Sequence, residues 1–247
     1  MQQYFVKDSY ANPVTITDKD TRKHMFQVMR LKADDEVVLV FDDGVKHLAR
    51  VLDADSATLT IVAPLDQQTE LPVQVTIASG FPKSDKLEFL AQKTTELGAA
   101  ALWGFPADWS VVKWDSKKLA KRVDKLEKIV QGAAEQSKRN RLPQVALFEK
   151  KADFLARLSD FDHILVAYEE TAKTGETKSL LTALDAVAPG DRILCIFGPE
   201  GGISPEEIAL FEEAGAKLVG LGPRILRAET APLYLLSALS VKLELEE

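Results

Sequence analysis

Two glycine-rich segments carry the residue types that could bind a ligand. The first, residues 197–204, has the sequence Phe-Gly-Pro-Glu-Gly-Gly-Ile-Ser and joins an apolar run to a helix start. Gly198, Gly201 and Gly202 permit positive φ angles and a close approach of the backbone to a ligand. Their spacing does not fit the G-x-G-x-x-G fingerprint, and no phosphate-loop lysine follows. The segment predicts either a binding loop for a ligand other than a dinucleotide or a tight strand-to-helix connection.

The second segment, residues 221–231, has the sequence Leu-Gly-Pro-Arg-Ile-Leu-Arg-Ala-Glu-Thr-Ala. Two arginines, Glu229 and Thr230 fall within seven residues, again between an apolar run and a helix. Ligands of open α/β sheets bind beyond the carboxyl ends of the strands. We therefore expect both segments to border one site. The alternative is that Thr230 caps a helix and the charges face solvent.

The elements that must position these segments alternate between strands and helices. From residue 71 onward, this alternation predicts a mostly parallel α/β sheet. Residues 1 to about 68 predict a small β-rich domain with one helical stretch and an Asp-Gly turn at residues 43–44. The predicted strands are residues 36–41, 47–52, 57–62, 73–78, 100–105, 163–168, 192–197 and 217–221. The predicted helices are residues 21–29, 84–97, 116–137, 204–214 and 232–243.

The charge of the chain is unevenly distributed. Its 247 residues carry a net charge of −7, which by itself argues against a nucleic-acid ligand. Residues 113–141 nevertheless hold ten basic and four acidic side chains, a local charge of +6. A basic patch on an acidic protein can attract a polyanion. A solvated helix face explains the same pattern, and composition alone leaves both readings open.

Cysteine and hydropathy exclude several classes of protein. The single cysteine, Cys195, lies in an apolar run and is expected to be an inert core thiol. One cysteine and three histidines provide no zinc motif. The sequence has no apolar run of the roughly 20 residues that a membrane helix needs and no signal peptide at its start. These features indicate a cytoplasmic protein without a metal or a membrane partner.

The two glycine-rich segments resemble the signature loops of the bacterial 16S ribosomal RNA uracil-N3 methyltransferase family, a part of the SPOUT superfamily. Three further blocks resemble that family in the same order along the chain. They are His-Met-Phe-Gln-Val-Met-Arg-Leu at residues 24–31, Asp-Lys-Leu-Glu-Phe-Leu through Glu-Leu-Gly at residues 85–98, and Glu-Gln-Ser with Arg139 at residues 135–139. The resemblance spans nearly the whole chain.

The resemblance implies a fold, a cofactor and partners that spacing does not reveal. The fold would be an α/β, SPOUT-type, trefoil-knotted and mostly parallel sheet at residues 72–247, preceded by a PUA-like, RNA-binding β-barrel at residues 1–68. The cofactor would be S-adenosylmethionine. The partners would be 16S ribosomal RNA, within the 30S subunit, and a second copy of the chain in a homodimer.

The resemblance, the chemistry of the reaction and the basic segment at residues 113–141 together suggest roles for individual residues. Methylation at N3 of uracil requires loss of a proton, which spreads negative charge onto O2 and O4. Arg227 is the candidate donor to those oxygens, and Glu229 or Glu200 is the candidate base, with water as the alternative. The cofactor-binding candidates are Phe197, Gly198, Pro199, Glu200, Gly201, Leu221, Gly222, Ile225, Leu226, Thr230 and Ala231. The RNA-binding candidates are His24, Arg30, Lys113, Lys121, Arg122, Lys125, Arg139 and Arg141.

Two positions depart from the family pattern. Gln3 stands where the family usually has a basic residue, and Trp109 stands where it usually has arginine. Both departures concern RNA contacts rather than the reaction. Trp109 is expected to pack or to stack on a base. The competing functions are a SPOUT enzyme acting on transfer RNA or a ribose hydroxyl, an RNA-binding protein without cofactor, and a Rossmann oxidoreductase, which the missing fingerprint disfavours.

Overall fold

The computed structural model of the chain describes residues 1–7, 9–169 and 179–245. Its contacts divide the chain into two compact units. The first comprises Met1–Glu70 and Ala134–Leu142, and the second comprises Leu71–Ala133 and Pro143–Glu247. The division after residue 70 agrees with the predicted start of the α/β region at residue 71. The structure departs from the predicted domains in one respect, because Ala134–Leu142 groups with the first unit rather than with residues 72–247.

The first unit is built on a mixed sheet with the strand order β1-β3-β4-β5-β2. Strand β1 pairs in parallel with β3, and the other pairs are antiparallel. Apolar side chains from alternate positions, among them Val37, Leu39 and Leu59, form its core. The predicted barrel corresponds to a mixed sheet with β1 and β2 as the first and last strands in its order. The strands are β1 (Gln3–Phe5), β2 (Val14–Thr15), β3 (Glu36–Val40), β4 (Lys46–Asp53) and β5 (Thr58–Leu65).

The helical stretch of the first unit consists of a short α-helix followed by a π-helical turn, rather than the single helix predicted for residues 21–29. Helix α1 (Lys19–Lys23) begins where the Asp18 side chain accepts a hydrogen bond from the Thr21 amide at 2.8 Å. A π-helical turn, His24–Val28, continues it and buries Met25. Sequence periodicity does not distinguish the two, because both place an apolar side chain toward the same core.

The segment Ala134–Leu142 is held in the first unit by polar contacts around Arg139. The Arg139 side chain is 3% exposed and forms an ion pair with Glu70, and the Gln3 amide donates to the Arg139 carbonyl at 2.7 Å. Glu70 also accepts from the Asn140 amide at 2.8 Å. The structure thus contradicts the prediction that Arg139 contacts RNA, because its guanidinium is buried. It also explains Gln3, which is buried as a partner of this segment.

Replacing Arg139 by alanine is expected to lower the free energy of unfolding by about 1.5–3 kcal/mol, because charge-assisted hydrogen bonds to Glu70 are lost. Arg141 is exposed and provides a matched control, for which the expected change is within about 0.5 kcal/mol. Urea denaturation of both variants measures the difference. Equal stabilities would contradict the structural role of Arg139.

The second unit contains a six-stranded sheet with the order β11-β9-β10-β6-β7-β8, and every neighbouring pair is parallel. The prediction of a mostly parallel sheet is confirmed. The strands are β6 (Gln74–Gly80), β7 (Ala101–Phe105), β8 (Gln144–Leu147), β9 (His163–Ala167), β10 (Arg192–Phe197) and β11 (Lys217–Val219). The helices are α2 (Lys86–Glu96), α3 (Ser116–Gln136), α4 (Lys151–Leu155), α5 (Ser179–Asp185), α6 (Pro205–Glu213) and α7 (Ala231–Ser240), with a 3₁₀ turn at Leu158–Asp160 and a π-helical turn at Val241–Leu245.

Both faces of this sheet are covered. Alternate residues of β10 enter two different apolar clusters, with Cys195 in one and Leu194 and Ile196 in the other. This explains why the strand is an unbroken apolar run, since both faces of a parallel sheet are covered by helices. Cys195 is fully buried and burial strongly raises the pKa of its thiol, so the expected inert core thiol is confirmed.

The strand order determines where the site lies. Strands β11, β9, β10 and β6 are neighbours and parallel, so the loops that follow them leave from one edge of the sheet. These loops include both glycine-rich segments. A trefoil knot depends on how one segment passes through another, which strand order does not specify, and the knot stays a prediction. None of the helices in the described ranges is long and apolar enough to cross a membrane.

Candidate active site

The two glycine-rich loops converge on one cleft at the carboxyl edge of the second unit's sheet. The cleft has a volume of about 590 Å³. A smaller pocket of about 140 Å³ adjoins it and shares Ile225, Leu226 and Ala231. Of the predicted cofactor residues, those lining the larger cleft are Phe197, Gly198, Pro199, Glu200, Gly201, Ile225, Leu226 and Ala231. Leu221 and Gly222 line the smaller pocket.

Thr230 lies outside both cavities. It is the residue before helix α7, and its amide donates to the Arg227 carbonyl at 2.9 Å. Its side chain makes no capping hydrogen bond. The structure therefore supports neither of the side-chain roles considered for Thr230, ligand contact or helix capping, while its backbone closes the turn that ends the second loop.

The first loop needs glycine in order to close on itself. A Cβ atom on Gly198 would lie 2.7 Å from the carbonyl carbon of Gly202 and 2.9 Å from its oxygen. Gly202 has a φ of +86°, and its amide donates to the Pro199 carbonyl at 2.9 Å. Helix α6 follows at once and begins with a capping box formed by Ser204 and Glu207. The loop is thus a compact backbone turn at the wall of the cleft.

Gly201 is a glycine for a different reason from the one its sequence context suggests. A Cβ atom there would lie 3.0 Å from Cβ of Trp109 and 3.2 Å from the Trp109 carbonyl oxygen. A side chain at Gly201 would therefore meet Trp109, while Gly201 itself lines the cleft. Trp109 is 48% exposed and lines the cleft.

A polar network fixes the loop that carries Trp109. The Lys151 ammonium lies 2.5 Å from Asp108 and 2.7 Å from Glu207, whose side chain is 0% exposed. The Ser204 hydroxyl donates to Asp108 at 2.8 Å, and the Asp108 amide donates to Glu207 at 3.0 Å. The hydrogen bond from Lys151, followed by that from Ser204, lowers the pKa of Asp108. The network joins the loop after β7 to the start of α6.

Lys86 is the side chain of the site that sequence reasoning missed. It lies at the first position of α2, and its Nζ is 3.0 Å from Glu200 and 3.0 Å from Glu229. The close contact with Glu229, followed by that with Glu200, raises the pKa of Lys86. Its position in the sequence could have identified it. Lys86 comes just after the loop that follows strand β6, and that loop lies at the same edge of the sheet as the glycine-rich loops.

The two predicted catalytic side chains lie next to each other. The Arg227 side chain is 83% exposed, and its Nη1 atom is 4.0 Å from Glu229. Burial raises the pKa of Glu229. The contact with Lys86 and a hydrogen bond to its own backbone lower the pKa by a larger amount, so the net shift is downward. Glu229 is therefore a stable carboxylate at neutral pH and a weaker base than an ordinary glutamate. Glu200 is shifted in the same direction, again against the effect of burial.

The remaining RNA-binding candidates are placed on the surfaces of the two units. In the first unit, His24 and Arg30 are exposed, and His24 Nδ1 lies 3.2 Å from the Tyr4 hydroxyl. Lys113, Lys121 and Arg141 are also exposed. Two others are engaged within the second unit. The Arg122 guanidinium lies 4.0 Å from the centre of the Trp114 ring, and Lys125 forms an ion pair with Glu88 at 2.5 Å.

Metal-ligating side chains do not cluster in the described part of the chain, where no group of three or more His, Cys, Asp or Glu residues could hold a metal ion. The described charged residues that line the cleft are Lys86, Glu169, Glu200 and Arg227.

The comparisons with known proteins decide the family. A family model described as an RNA methyltransferase domain matches residues 69–240, and one described as an RNA methyltransferase PUA domain matches residues 16–62. The chain is 40% identical to the ribosomal RNA small subunit methyltransferase E of Bacillus subtilis, over 99% of this chain and 98% of that one. The chain belongs to the ribosomal RNA small subunit methyltransferase E family. This confirms the family and the enzyme class expected from the five sequence blocks.

Solved structures of similar proteins agree with the fold. A ribosomal RNA small subunit methyltransferase E from Neisseria gonorrhoeae, bound to S-adenosylmethionine, is similar with a TM-score of 0.81 and 27% identity over 98% of this chain and 97% of that one. A methyltransferase from Legionella pneumophila, also in complex with bound S-adenosylmethionine, gives a TM-score of 0.83 and 26% identity over 97% and 96% of the two chains.

Proposed function

We propose that this RNA methyltransferase transfers a methyl group from S-adenosylmethionine to N3 of a uridine in 16S ribosomal RNA, within the small ribosomal subunit, and that it works as a homodimer. The observation that carries the proposal is the convergence of the two glycine-rich loops on one cleft, with an exposed arginine, Arg227, beside the carboxylate of Glu229.

The cleft has the properties that S-adenosylmethionine requires. Its volume of about 590 Å³ lies within the range of about 300–1,000 Å³ that small-molecule sites have. Apolar side chains of Phe197, Ile225 and Leu226 line it together with loop backbone. These residues would hold the apolar parts of the cofactor, while backbone groups of the glycine-rich loops supply polar partners. When bound, the cofactor supplies an electrophilic methyl group, and the protein's main task is alignment.

Arg227 and the two glutamates provide the remaining chemistry. As N3 loses its proton, negative charge develops on O2 and O4 of the uracil. The guanidinium of Arg227 is exposed and can donate to those oxygens. Glu229 is ionised and can accept a hydrogen bond or the proton, and Glu200 lies beside the same lysine. Because hydrogen bonds hold the pKa values of both glutamates low, we assign the larger catalytic effect to Arg227 and not to a strong base.

The basic residues of α3 are proposed to bind RNA phosphates. Lys117, Lys118 and Lys121 are exposed on this helix, whereas Arg122 and Lys125 are engaged with Trp114 and Glu88. His24 and Arg30 are proposed as contacts from the first unit, whose match to the PUA model supports an RNA-binding role.

Changing Lys117, Lys118 and Lys121 together to alanine is expected to weaken RNA binding. It should also reduce the slope of log affinity against log salt concentration by about two units, since each phosphate contact to single-stranded RNA contributes about 0.7. Titrations of a ribosomal RNA fragment between low and moderate salt measure the slope. A variant with Arg122 and Lys125 changed to alanine should alter the slope less. An unchanged slope in the triple variant would show that the helix face is only solvated.

Calorimetry with S-adenosylmethionine and sedimentation of the purified protein test the cofactor and the dimer. We expect one cofactor site per chain and a dimer mass. Absence of cofactor binding would instead favour an RNA-binding protein without methyltransferase activity, and a monomer mass would contradict the homodimer.

A further inference from the structure

A single ammonium group connects the two glycine-rich loops. Lys86 Nζ lies 3.0 Å from an oxygen of Glu200 in the first loop and 3.0 Å from an oxygen of Glu229 in the second. Each of the three side chains is about one quarter exposed. The lysine itself belongs to neither loop, because it begins helix α2, which follows the neighbouring strand β6.

Further contacts extend this connection on both sides. Glu200 accepts hydrogen bonds from the Lys83 amide, at 3.1 Å to one oxygen and 3.3 Å to the other. The second carboxylate oxygen of Glu229 lies 4.0 Å from Arg227. Charged groups therefore alternate in sign along the series Glu200, Lys86, Glu229 and Arg227.

We propose that Lys86 is a positioning residue that ties the two loops together in the geometry that binds the cofactor and, through Glu229, orients Arg227. The proposal rests on the proposed function, because it concerns the cleft assigned to S-adenosylmethionine. In the described part of the chain, Glu200 pairs with Lys86 and not with Arg224 or Arg227 of the second loop, so the tie depends on the lysine.

Electrostatics explains why the lysine is needed. Without its ammonium, the carboxylates of Glu200 and Glu229 would face each other in a partly buried cleft, and like charges at short range repel. Among the residues that the structure describes, the other charged groups lining the cleft are Glu169 and Arg227. Hydrogen bonding to the two glutamates raises the pKa of Lys86, and the pKa values of both glutamates are lowered in return. The three charges therefore persist across the neutral range in the wild-type protein.

The test compares cofactor affinity in Lys86→Met and Lys86→Arg. Methionine keeps the length and apolar character of the stem without the charge, and we expect the Kd for S-adenosylmethionine to rise about tenfold near pH 8. Arginine keeps the charge and should restore most of the affinity. Lys93→Met is the matched control, because Lys93 lies on the same helix and forms a 2.9 Å ion pair with Glu96. That variant should bind the cofactor as the wild type does.

Two readouts separate positioning from a general structural role. In Lys86→Met, affinity should improve as the pH falls from 8 to 5, because protonation of one glutamate relieves the repulsion, whereas wild-type affinity should change little. Adding Glu200→Gln to Lys86→Met should recover part of the lost affinity at pH 8 for the same reason. The single-turnover rate of Lys86→Met should also be measured at saturating S-adenosylmethionine. A rate below that of the wild type under this condition would support the link between Lys86 and Arg227.

The proposal is overturned if Lys86→Met binds the cofactor with wild-type affinity. It is equally overturned if the loss is independent of pH and unaffected by Glu200→Gln. If Lys86→Met does not fold, the Glu200→Gln/Glu229→Gln double variant replaces it. This variant should bind S-adenosylmethionine more weakly than the wild type, and the loss should not depend on pH. Wild-type affinity in the double variant would contradict the role proposed for Lys86. Failure of the wild-type protein to bind S-adenosylmethionine would instead refute the proposed function.

Discussion

Replacing Arg227 by alanine is expected to lower the single-turnover rate of methylation by about 10²–10³, the usual cost of removing one preorganised donor. The affinity for S-adenosylmethionine should remain nearly unchanged, because the contact with the uracil oxygens strengthens only in the transition state. Arg227 is 83% exposed, so its loss should not lower the melting temperature measurably.

The matched variants make this expectation specific. Arg227→Lys keeps the charge but not the planar fork and should recover only part of the rate. Arg192 is exposed at the amino end of β10, on the opposite edge of the sheet, and Arg192→Ala should keep the wild-type rate. A structural role for Arg227, for example across a dimer, would instead lower the melting temperature or the dimer mass together with activity. A stable dimer with the wild-type rate would eliminate the catalytic role.

Replacing Gly198 by alanine is expected to raise the Kd for the cofactor about 100-fold, equivalent to about 3 kcal/mol. The reason is geometric, because the added Cβ would lie 2.7 Å from backbone of Gly202 and that backbone cannot move without opening the loop. Calorimetry on the folded variant measures the change.

Gly132→Ala is the matched control for this substitution. A Cβ atom on Gly132 meets no atom within 4 Å in helix α3, and alanine is the better helix former. The control should bind the cofactor normally and be slightly more stable than the wild type. Normal binding by Gly198→Ala would show that the compact form of the loop is not required.

The sheet of the second unit could be predicted because each of its long strands is locally marked. Strand β10 is a continuous apolar run, and helix α6 begins with a complete capping box at Ser204. Strand β8 and helices α4 and α5 were not predicted. β8 has four residues at the edge of the sheet, and α4 has five residues, which is too short to establish a helical period.

The candidate site was predicted only in part, for a related reason. Three glycines mark the first loop, whereas Gly222 and the charged residues that follow it mark the second. The partners of those loops are remote in sequence. Lys86 precedes Glu200 and Glu229 by more than a hundred residues, and its role depends on the strand order of the folded sheet. Arg139 was counted with the surface charges because its partner, Glu70, is 69 residues away and no local pattern indicates burial.

The identity of the methylated atom tests the central claim most directly. Small ribosomal subunits from cells lacking this protein would be incubated with the purified protein and S-adenosylmethionine, and their 16S ribosomal RNA would then be mapped by mass spectrometry of nuclease fragments and nucleosides. We expect N3-methyluridine at one uridine, formed by the wild-type protein and much more slowly by Arg227→Ala. A methyl group on a ribose 2′-oxygen, or methylation of transfer RNA in place of 16S RNA, would contradict it.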